Sequence, residues 1–353
     1  MIKVLISYLF CSRGGVETAL LNRLRAIDEK AYRIDLHFFQ DYGGLEMYKG
    51  WKGHIYTKCT EEYLKKLIRR NQYDLVITID SLAVLKLLAQ IGYDGRIGLE
   101  VHTTYKESLR YLKDRRMSMI DFVIVPSDYQ KRLVRRKVPE KKIYVIGNAV
   151  NHETCYQPQC VLPSEKKILL WVGRIDEHKN WRLFLRIADY LHRRTDSFLF
   201  WVAGGLKSEE TDIHEFEKCV CQKDLERHVL WIPQVDYKKM GILYSYAANS
   251  GGCYICTSQN ESFGMTVVEA MKCRCPVIVN AVGALPEMVG TDRGLCLEDM
   301  GNVEQMERIR EFLMEEDKGG MVSQAEAYAA EQFSCELVAE QFCSILNKYK
   351  ERK

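Results

Sequence analysis

Two carboxylates eight residues apart frame the segment Glu261-Ser262-Phe263-Gly264-Met265-Thr266-Val267-Val268-Glu269. Glu261 falls in a loop. Glu269 falls inside a helix that is otherwise apolar, beside Val267, Val268, Ala270 and Met271. A carboxylate among apolar side chains needs a partner, and ribose hydroxyls are good ones. The helix start near Phe263 and Gly264 offers N–H groups without intrahelical acceptors to a phosphate or a sugar hydroxyl.

A second loop, Gly173-Arg174-Ile175-Asp176-Glu177-His178-Lys179-Asn180, sets two cations five positions apart. Arg174 offers a fork and Lys179 a point charge, a pair able to grip a diphosphate from two sides. Taken alone, such a loop reads first as a surface turn with solvated charges. His178 competes with Lys179 for this role, but an imidazole is largely neutral near pH 7. A third loop, Cys11-Ser12-Arg13-Gly14-Gly15-Val16-Glu17, opens a helix after the first strand. Paired glycines let backbone N–H groups approach a phosphate or sugar closely. Tight strand-to-helix turns also use glycine, and the motif is not G-x-G-x-x-G, so a dinucleotide fingerprint is absent. His102 closes an apolar strand, where a lone histidine is more often structural.

These loops need a scaffold. Apolar runs at Ile2–Phe10, Arg33–Phe39, Asp74–Ile79, Arg96–His102, Phe122–Ser127 and Ile143–Asn148 read as strands. Amphipathic stretches between them, such as Glu17–Ile27, Glu61–Arg70, Ser81–Gln90 and Asp128–Lys137, read as helices. The alternation predicts a parallel sheet covered on both faces. Residues 151–165 break the pattern with Pro158 and Pro163 and read as a linker. Strands resume at Lys167–Gly173, Phe198–Gly204, Val229–Pro233, Gly252–Ser258, Pro276–Ala281 and Gly294–Leu297. The helices among them include Trp181–Arg194, Ile213–Asp224, Lys238–Ala248 and Thr266–Lys272, and Val303–Glu315 and Ser323–Lys350, with a break near Ser334, close the chain. The expected architecture is α/β, with two tandem Rossmann-like domains, 1–150 and 166–334, facing a central cleft, and a C-terminal helix, 335–353, crossing back to the first. Ligands of such sheets sit at the carboxyl ends of strands, where all three loops fall. The polar run Asn249-Ser250-Gly251-Gly252 before a core strand suggests a bulge.

Composition narrows the function classes. The 353 residues are 47% hydrophobic and 28% charged, ordinary for a soluble globular chain of two domains. No apolar run is long enough for a transmembrane helix, and the N-terminus reads as a strand rather than a signal peptide. The 13 cysteines are an odd number in a large chain, which fits reduced cytosolic thiols. The Cys253/Cys256 pair sits in a strand-like run and reads as buried and inert. Charge is uneven. Residues 1–160 carry 27 Lys and Arg against 18 Asp and Glu, while the remainder carries 24 against 30. The basic run from Lys131 to Lys142 suits an anionic membrane surface or a phosphorylated acceptor, and equally a solvated helix face. No aromatic residues interleave a basic motif, which argues against nucleic acid.

The ordered set of a Gly-Gly loop, G-R-x4-K and E-x7-E resembles the retaining GT-B glycosyltransferases of family 4. The stretch 261–289 (ESFGMTVVEAMKCRCPVIVNAVGALPEMV) is similar to that family's donor-site signature almost throughout, and residues 145–150 and 153–158 to its linker region. The resemblance implies transfer of a hexose-type or N-acetylhexosamine sugar from a nucleotide-sugar, UDP-linked in preference to GDP-linked, to a glycan or lipid-linked acceptor. It implies roles for this chain's residues. Glu269 would bond the donor ribose. Glu261 would face hydroxyls of the transferred sugar, helped by backbone N–H groups of Phe263, Gly264 and Met265. Arg174 and Lys179 would neutralise the departing diphosphate. Gly14 and Gly15 would lie against the donor phosphates, and His102 would lie near the reaction centre. The chain has no Asp-x-Asp motif, and Arg174, Lys179 and a helix N-terminus can carry the leaving-group charge, so no metal cofactor is expected. The family implies retention by front-face attack and work in polysaccharide or glycoconjugate synthesis, in the cytoplasm or at the inner membrane face. Two other readings remain at this point: a nucleotide-sugar epimerase of related fold, and a non-catalytic nucleotide-sugar-binding partner. A glycoside hydrolase fits less well, because Glu261 and Glu269 lie on one short segment.

Overall fold

The computed structural model describes residues 1–151, 153–162, 165–206 and 208–351. The chain divides into two compact units, Met1–Ala149 with Phe333–Lys353, and Val150–Gln332. Two parallel-sheet α/β units are the expected fold class.

In the first unit the elements run β1 (Ile2–Cys11), α1 (Gly15–Arg25), β2 (Tyr32–Asp41), β3 (Ile55–Thr57), α2 (Glu61–Asn71), β4 (Leu75–Ile79), α3 (Ala83–Gln90), β5 (Arg96–Glu100), β6 (Phe122–Val125), α4 (Asp128–Arg135) and β7 (Lys142–Val145). The sheet has seven strands in the order β3-β2-β1-β4-β5-β6-β7, and every pairing is parallel. Its central strands are apolar on consecutive positions because helices cover both faces. Val4, Leu5 and Ile6 are all buried.

The second unit runs β8 (Lys167–Val172), α5 (Trp181–His192), β9 (Phe198–Ala203), α6 (Glu210–Gln222), β10 (Val229–Ile232), α7 (Met240–Asn249), β11 (Cys253–Cys256), α8 (Met265–Lys272), β12 (Val277–Asn280), α9 (Leu285–Val289), β13 (Leu295–Leu297), α10 (Val303–Met314) and α11 (Gly319–Gln332). Its sheet has six parallel strands in the order β10-β9-β8-β11-β12-β13. A last helix, α12 (Cys335–Lys348), belongs to the first unit. Ser334 caps it by accepting from the Leu337 amide at 3.3 Å, so the break falls at the serine. Its Phe342, Ile345 and Leu346 are buried in the same core as Leu20 and Leu24 of α1.

Each sheet grows outward in both directions from its first strand. The order reverses between β1 and β4 in one unit and between β8 and β11 in the other. These reversals leave a crevice at the carboxyl ends of the flanking strands. The loops after β1 and β4, and after β8 and β11, therefore position the chemistry.

Some local expectations change. The three-residue β3 escapes periodicity because it is too short to show one. Residues 249–252 form no bulge. They are the turn closing α7, where Gly251 has φ +71° and Ser250 Oγ accepts the Ile168 amide at 2.9 Å. Among the residues read as linker, Gln157 donates its amide to Ser245 Oγ at 2.9 Å and Cys160 O accepts from Asn249 Nδ2 at 2.8 Å. His152, Pro163 and Ser164 of that stretch lie outside the described residues, as do Arg352 and Lys353 of the C-terminal segment. Cys253 and Cys256 are buried free thiols. Burial pushes both thiols up, so neither is a ready thiolate.

Candidate functional site

The second unit brings Lys179 and Glu261 together across 82 positions of sequence. Lys179 leaves the loop after β8, and Glu261 leaves the loop after β11, its neighbour at the strand-order reversal. Glu261 Oε1 accepts from Lys179 Nζ at 2.6 Å and from Ser258 Oγ at 2.8 Å. Burial opposes both charges, yet each stabilises the other. Lys179 is held above its usual range by Glu261, and Glu261 below its own by Lys179 and Ser258. Both side chains keep some exposure, 21% and 14%, so an incoming ligand can reach them.

The backbone around this pair is specific. Asp176 Oδ1 accepts the Lys179 amide at 2.8 Å, and His178 O accepts the Gln259 amide at 2.8 Å. Thr257 Oγ1 bonds Lys179 O at 2.9 Å. Gly283 has φ +60°, and a Cβ there would meet Glu261 O at 2.1 Å, so only glycine fits. Asn260 Oδ1 is buried beside it with no hydrogen-bond partner among the described residues. Arg174 pairs with Asp176 Oδ2 at 2.8 Å, and its side chain is 61% exposed. Arg174 thus stays extended at the rim while Lys179 is seated. Burial and the neighbouring Lys179 ammonium push His178 below its usual value, which favours the neutral ring.

Phe263 is buried. Gly264 is the N-cap of α8 in the left-handed region, with no side-chain cap. A Cβ there would meet Leu285 Cδ2 at 2.7 Å. The glycine thus brings the start of α8, at Met265, into the crevice without a side chain over it, and a helix start of this kind favours an anion. One helical turn further, Glu269 is buried. Its Oε2 accepts from Tyr244 Oη of α7 at 3.0 Å. Burial raises its carboxyl to about 7, against hydrogen bonds from Tyr244 and Tyr237. Gly204 serves packing, since it has φ +107° and a Cβ there would meet Gly173 O at 2.4 Å.

In the first unit, Gly14 is the N-cap of α1 and Gly15 its first residue. The turn contains a carboxylate of its own. Glu17 Oε1 accepts from the Ser12 amide at 2.7 Å and from Ser12 Oγ at 2.6 Å. The start of α1 therefore lies against a buried protein carboxylate, which opposes a second anion close by. His102 sits just beyond β5. Its amide donates to Asp80 Oδ1 at 2.9 Å, and Asp80 itself stands just after β4 with φ +47°. His102 Nε2 lies 3.2 Å from Glu100 Oε2. Glu100 Oε1 accepts from Arg23 Nη2 at 2.7 Å, and the Arg23 guanidinium stacks 4.0 Å from the Phe342 ring centroid. Burial alone would raise Glu100, but Arg23 and His102 bring it down to about 2. His102 Nδ1 is buried with no hydrogen-bond partner among the described residues, and a small cavity between Glu100, His102 and Asn148 adjoins it.

Sequence reading missed Ser258, Tyr244, Arg23 and Glu100 as partners of the selected residues. Glu100, a carboxylate two positions before His102, and Ser258, three before Glu261, carried a local signal. The basic run is partly spent on structure. Arg135 Nη1 donates to Lys141 O at 2.8 Å, and Lys141 Nζ to Ile120 O at 2.7 Å. Among the described residues, no helix is long and apolar enough to cross a membrane.

Comparison with known proteins agrees with this geometry. A family model described as glycosyl transferases group 1 matches residues 156–332, and one described as glycosyltransferase family 4 matches residues 13–154. The α-1,3/1,6-mannosyltransferase ALG2 of Mus musculus is 31% identical over 202 residues, 53% of this chain and 47% of its own length. The chain therefore spans about half the length of that relative. An uncharacterized glycosyltransferase of Haemophilus influenzae is 22% identical over 95% of this chain and 97% of its own. Among solved structures, Anabaena HepE in complex with UDP superposes with a TM-score of 0.82 at 17% identity, over 98% of this chain and 100% of that one. That likeness shows the fold, which is GT-B. With both halves matched by family models and the motif residues standing at the strand-order reversals, the chain belongs to the glycosyl transferases group 1 family, the GT-B glycosyltransferases of family 4.

Proposed function

We propose that this protein transfers a sugar from a nucleotide-sugar donor to a glycan or lipid-linked acceptor, with retention of configuration and without a metal cofactor. The observation that carries this reading is the Lys179–Glu261 pair, 2.6 Å apart, in the crevice that also receives the uncapped start of α8. A departing nucleoside diphosphate builds negative charge, and preorganised cations and helix N–H groups stabilise it there. Lys179 supplies the seated cation and Arg174 the more exposed one. Glu261 orients Lys179 and faces the sugar hydroxyls, beside the backbone N–H groups of Phe263, Gly264 and Met265. Glu269 takes the ribose hydroxyls. On the first unit, His102 keeps the role that the family resemblance implies, whereas the Glu17 carboxylate across the Gly14-Gly15 turn opposes a donor phosphate there.

A UDP-linked hexose or N-acetylhexosamine is the donor of choice, supported by fold neighbours solved with UDP and UDP-glucose. A GDP-linked sugar is the competing choice, and the ALG2 likeness makes mannose a sugar to include. Cell-surface polysaccharide or glycoconjugate synthesis, at the inner membrane face through Lys131–Lys142, fits the basic surface of the first unit. The test is release of nucleoside diphosphate from a panel of UDP- and GDP-sugars, offered with lipid-linked and free glycan acceptors, in the presence of EDTA. Acceptor-dependent release that persists in EDTA and collapses in Lys179→Ala supports the reading. Acceptor-independent conversion of the donor sugar indicates an epimerase instead, and donor binding without turnover indicates a non-catalytic partner.

A further inference from the structure

At the amino ends of β9 and β10, the end of the second sheet away from the Lys179–Glu261 crevice, three metal-ligating side chains converge. His192 is the last residue of α5, Asp196 lies in the turn to β9, and His228 immediately precedes β10. All three thus stand at the amino ends of β9 and β10, which pair in register from Val229 against Phe200. The two imidazole rings have centroids 4.0 Å apart. One donor atom from each of the three residues lies within 4.8 Å of the others. His228 Nε2 is 2.7 Å from Asp196 Oδ1. The other carboxylate oxygen, Oδ2, accepts from Lys166 Nζ at 2.7 Å, and these two partners hold the Asp196 carboxyl at about 2.

The polar inventory of this cluster is incomplete. His192 Nδ1 and His228 Nδ1 are both buried and have no hydrogen-bond partner among the described residues. Two facing imidazoles with unpaired buried nitrogens are a costly arrangement unless something accepts their lone pairs. A dication seated among the three residues would replace the present His228 Nε2–Asp196 contact, drawing a ring lone pair and a carboxylate oxygen to itself.

We propose that His192, Asp196 and His228 bind one transition-metal dication. Two imidazoles and a carboxylate, with no thiolate in the set, suit Zn²⁺, Ni²⁺ or Cu²⁺ over Ca²⁺ or Mg²⁺. Three protein ligands leave a fourth position to water. The Lys166 ammonium opposes a second positive charge, so the site is an exchangeable one. Its place at the amino ends of these strands makes the bound ion a clasp between the α5–β9 turn and β10. It plays no part in the transfer reaction, whose charge is carried elsewhere.

The test uses the full chain, dialysed against a chelator, then titrated with Co²⁺ and competed with Zn²⁺. Cobalt separates this site from the free cysteines, among them the exposed Cys155 and Cys221, because thiolate ligation adds intense sulfur-to-metal charge-transfer absorption and a nitrogen–oxygen site does not. The expected result is one equivalent bound, weak d–d bands without the sulfur band, and a higher Tm with Zn²⁺. Asp196→Asn, whose side chain is mostly exposed, should weaken uptake at least tenfold. His192→Gln combined with His228→Gln should abolish it. Uptake unchanged in both variants, a sulfur charge-transfer band accompanying the d–d bands, or no uptake at all would overturn the proposal.

Discussion

The two strand-order reversals use charge in opposite ways. In the first unit the carboxylates are consumed by the protein: Glu17 by Ser12, Glu100 by Arg23 and His102, and Asp80 by the amides of His102 and Thr103. In the second unit the opposing charges are seated but still reachable, and α8 begins at a glycine with no side-chain cap. The same topology therefore yields one crevice that fixes the backbone and a histidine, and another left ready for an anion. Strand order says where a site can be. The pairing state of the side chains there distinguishes a scaffold from a receptor for ligand.

The largest effect that separates the two regions is on stability. Glu100→Gln leaves the buried Arg23 guanidinium without its counter-charge and should cost about 3–5 kcal/mol in urea unfolding. Because Glu100 is held near 2, the stabilisation it gives is present above about pH 4.5 and lost as pH falls through 2. A loss well under 1 kcal/mol would mean that the first unit does not depend on this pair. Lys179→Ala should show the contrary pattern. Glu261 keeps Ser258 and contact with solvent, so stability falls less, while turnover falls by about 10²–10³, as when one preorganised donor is removed. Near-wild-type turnover would remove the role assigned to Lys179.

Next comes a pH effect in the second unit. The folded protein holds the Glu269 proton up to about pH 7, whereas the unfolded chain releases it near 4.5. The raised value contributes stability that is complete below about pH 4.5 and lost as pH rises through 7, on the order of 3 kcal/mol. Glu269→Gln should flatten that slope in melts between pH 5 and 8, and an unchanged slope would show that another group is responsible. The smallest effect concerns the basic face. Exchanging Arg132 and Lys137 for glutamate should weaken co-sedimentation with anionic vesicles by about 1 kcal/mol per charge, and binding that ignores lipid charge would contradict a membrane role.

Much of this was legible in the sequence because it is local. The strand–helix alternation, the break at Ser334 and the loops carrying Lys179 and Glu261 each leave a pattern within about 15 residues. What could not be read was pairing at a distance. Arg23 and Glu100 are 77 positions apart and Tyr244 and Glu269 are 25 apart, and neither spacing has a periodic signature. Glu17 looked like an ordinary acidic residue in a first helical turn, and only its contact with Ser12 shows that it lies across the Gly14-Gly15 turn. The polar run before β11 misled for a related reason. Asn249 and Ser250 satisfy the backbone of the Gln157–Cys160 segment and of β8, a task set by neighbours that the local sequence does not name.

A nucleoside diphosphate is expected in the crevice flanked by β8 and β11. Thermal-shift titration with UDP, GDP, ADP and dTDP, with EDTA present, tests it most directly. At about 100 times its dissociation constant a bound nucleotide stabilises the fold by about 2.7 kcal/mol. Tm should rise clearly with one of them, UDP first, and the rise should be lost in Glu269→Ala and reduced in Lys179→Ala. No rise with any nucleotide, or a rise that both variants retain in full, would contradict it.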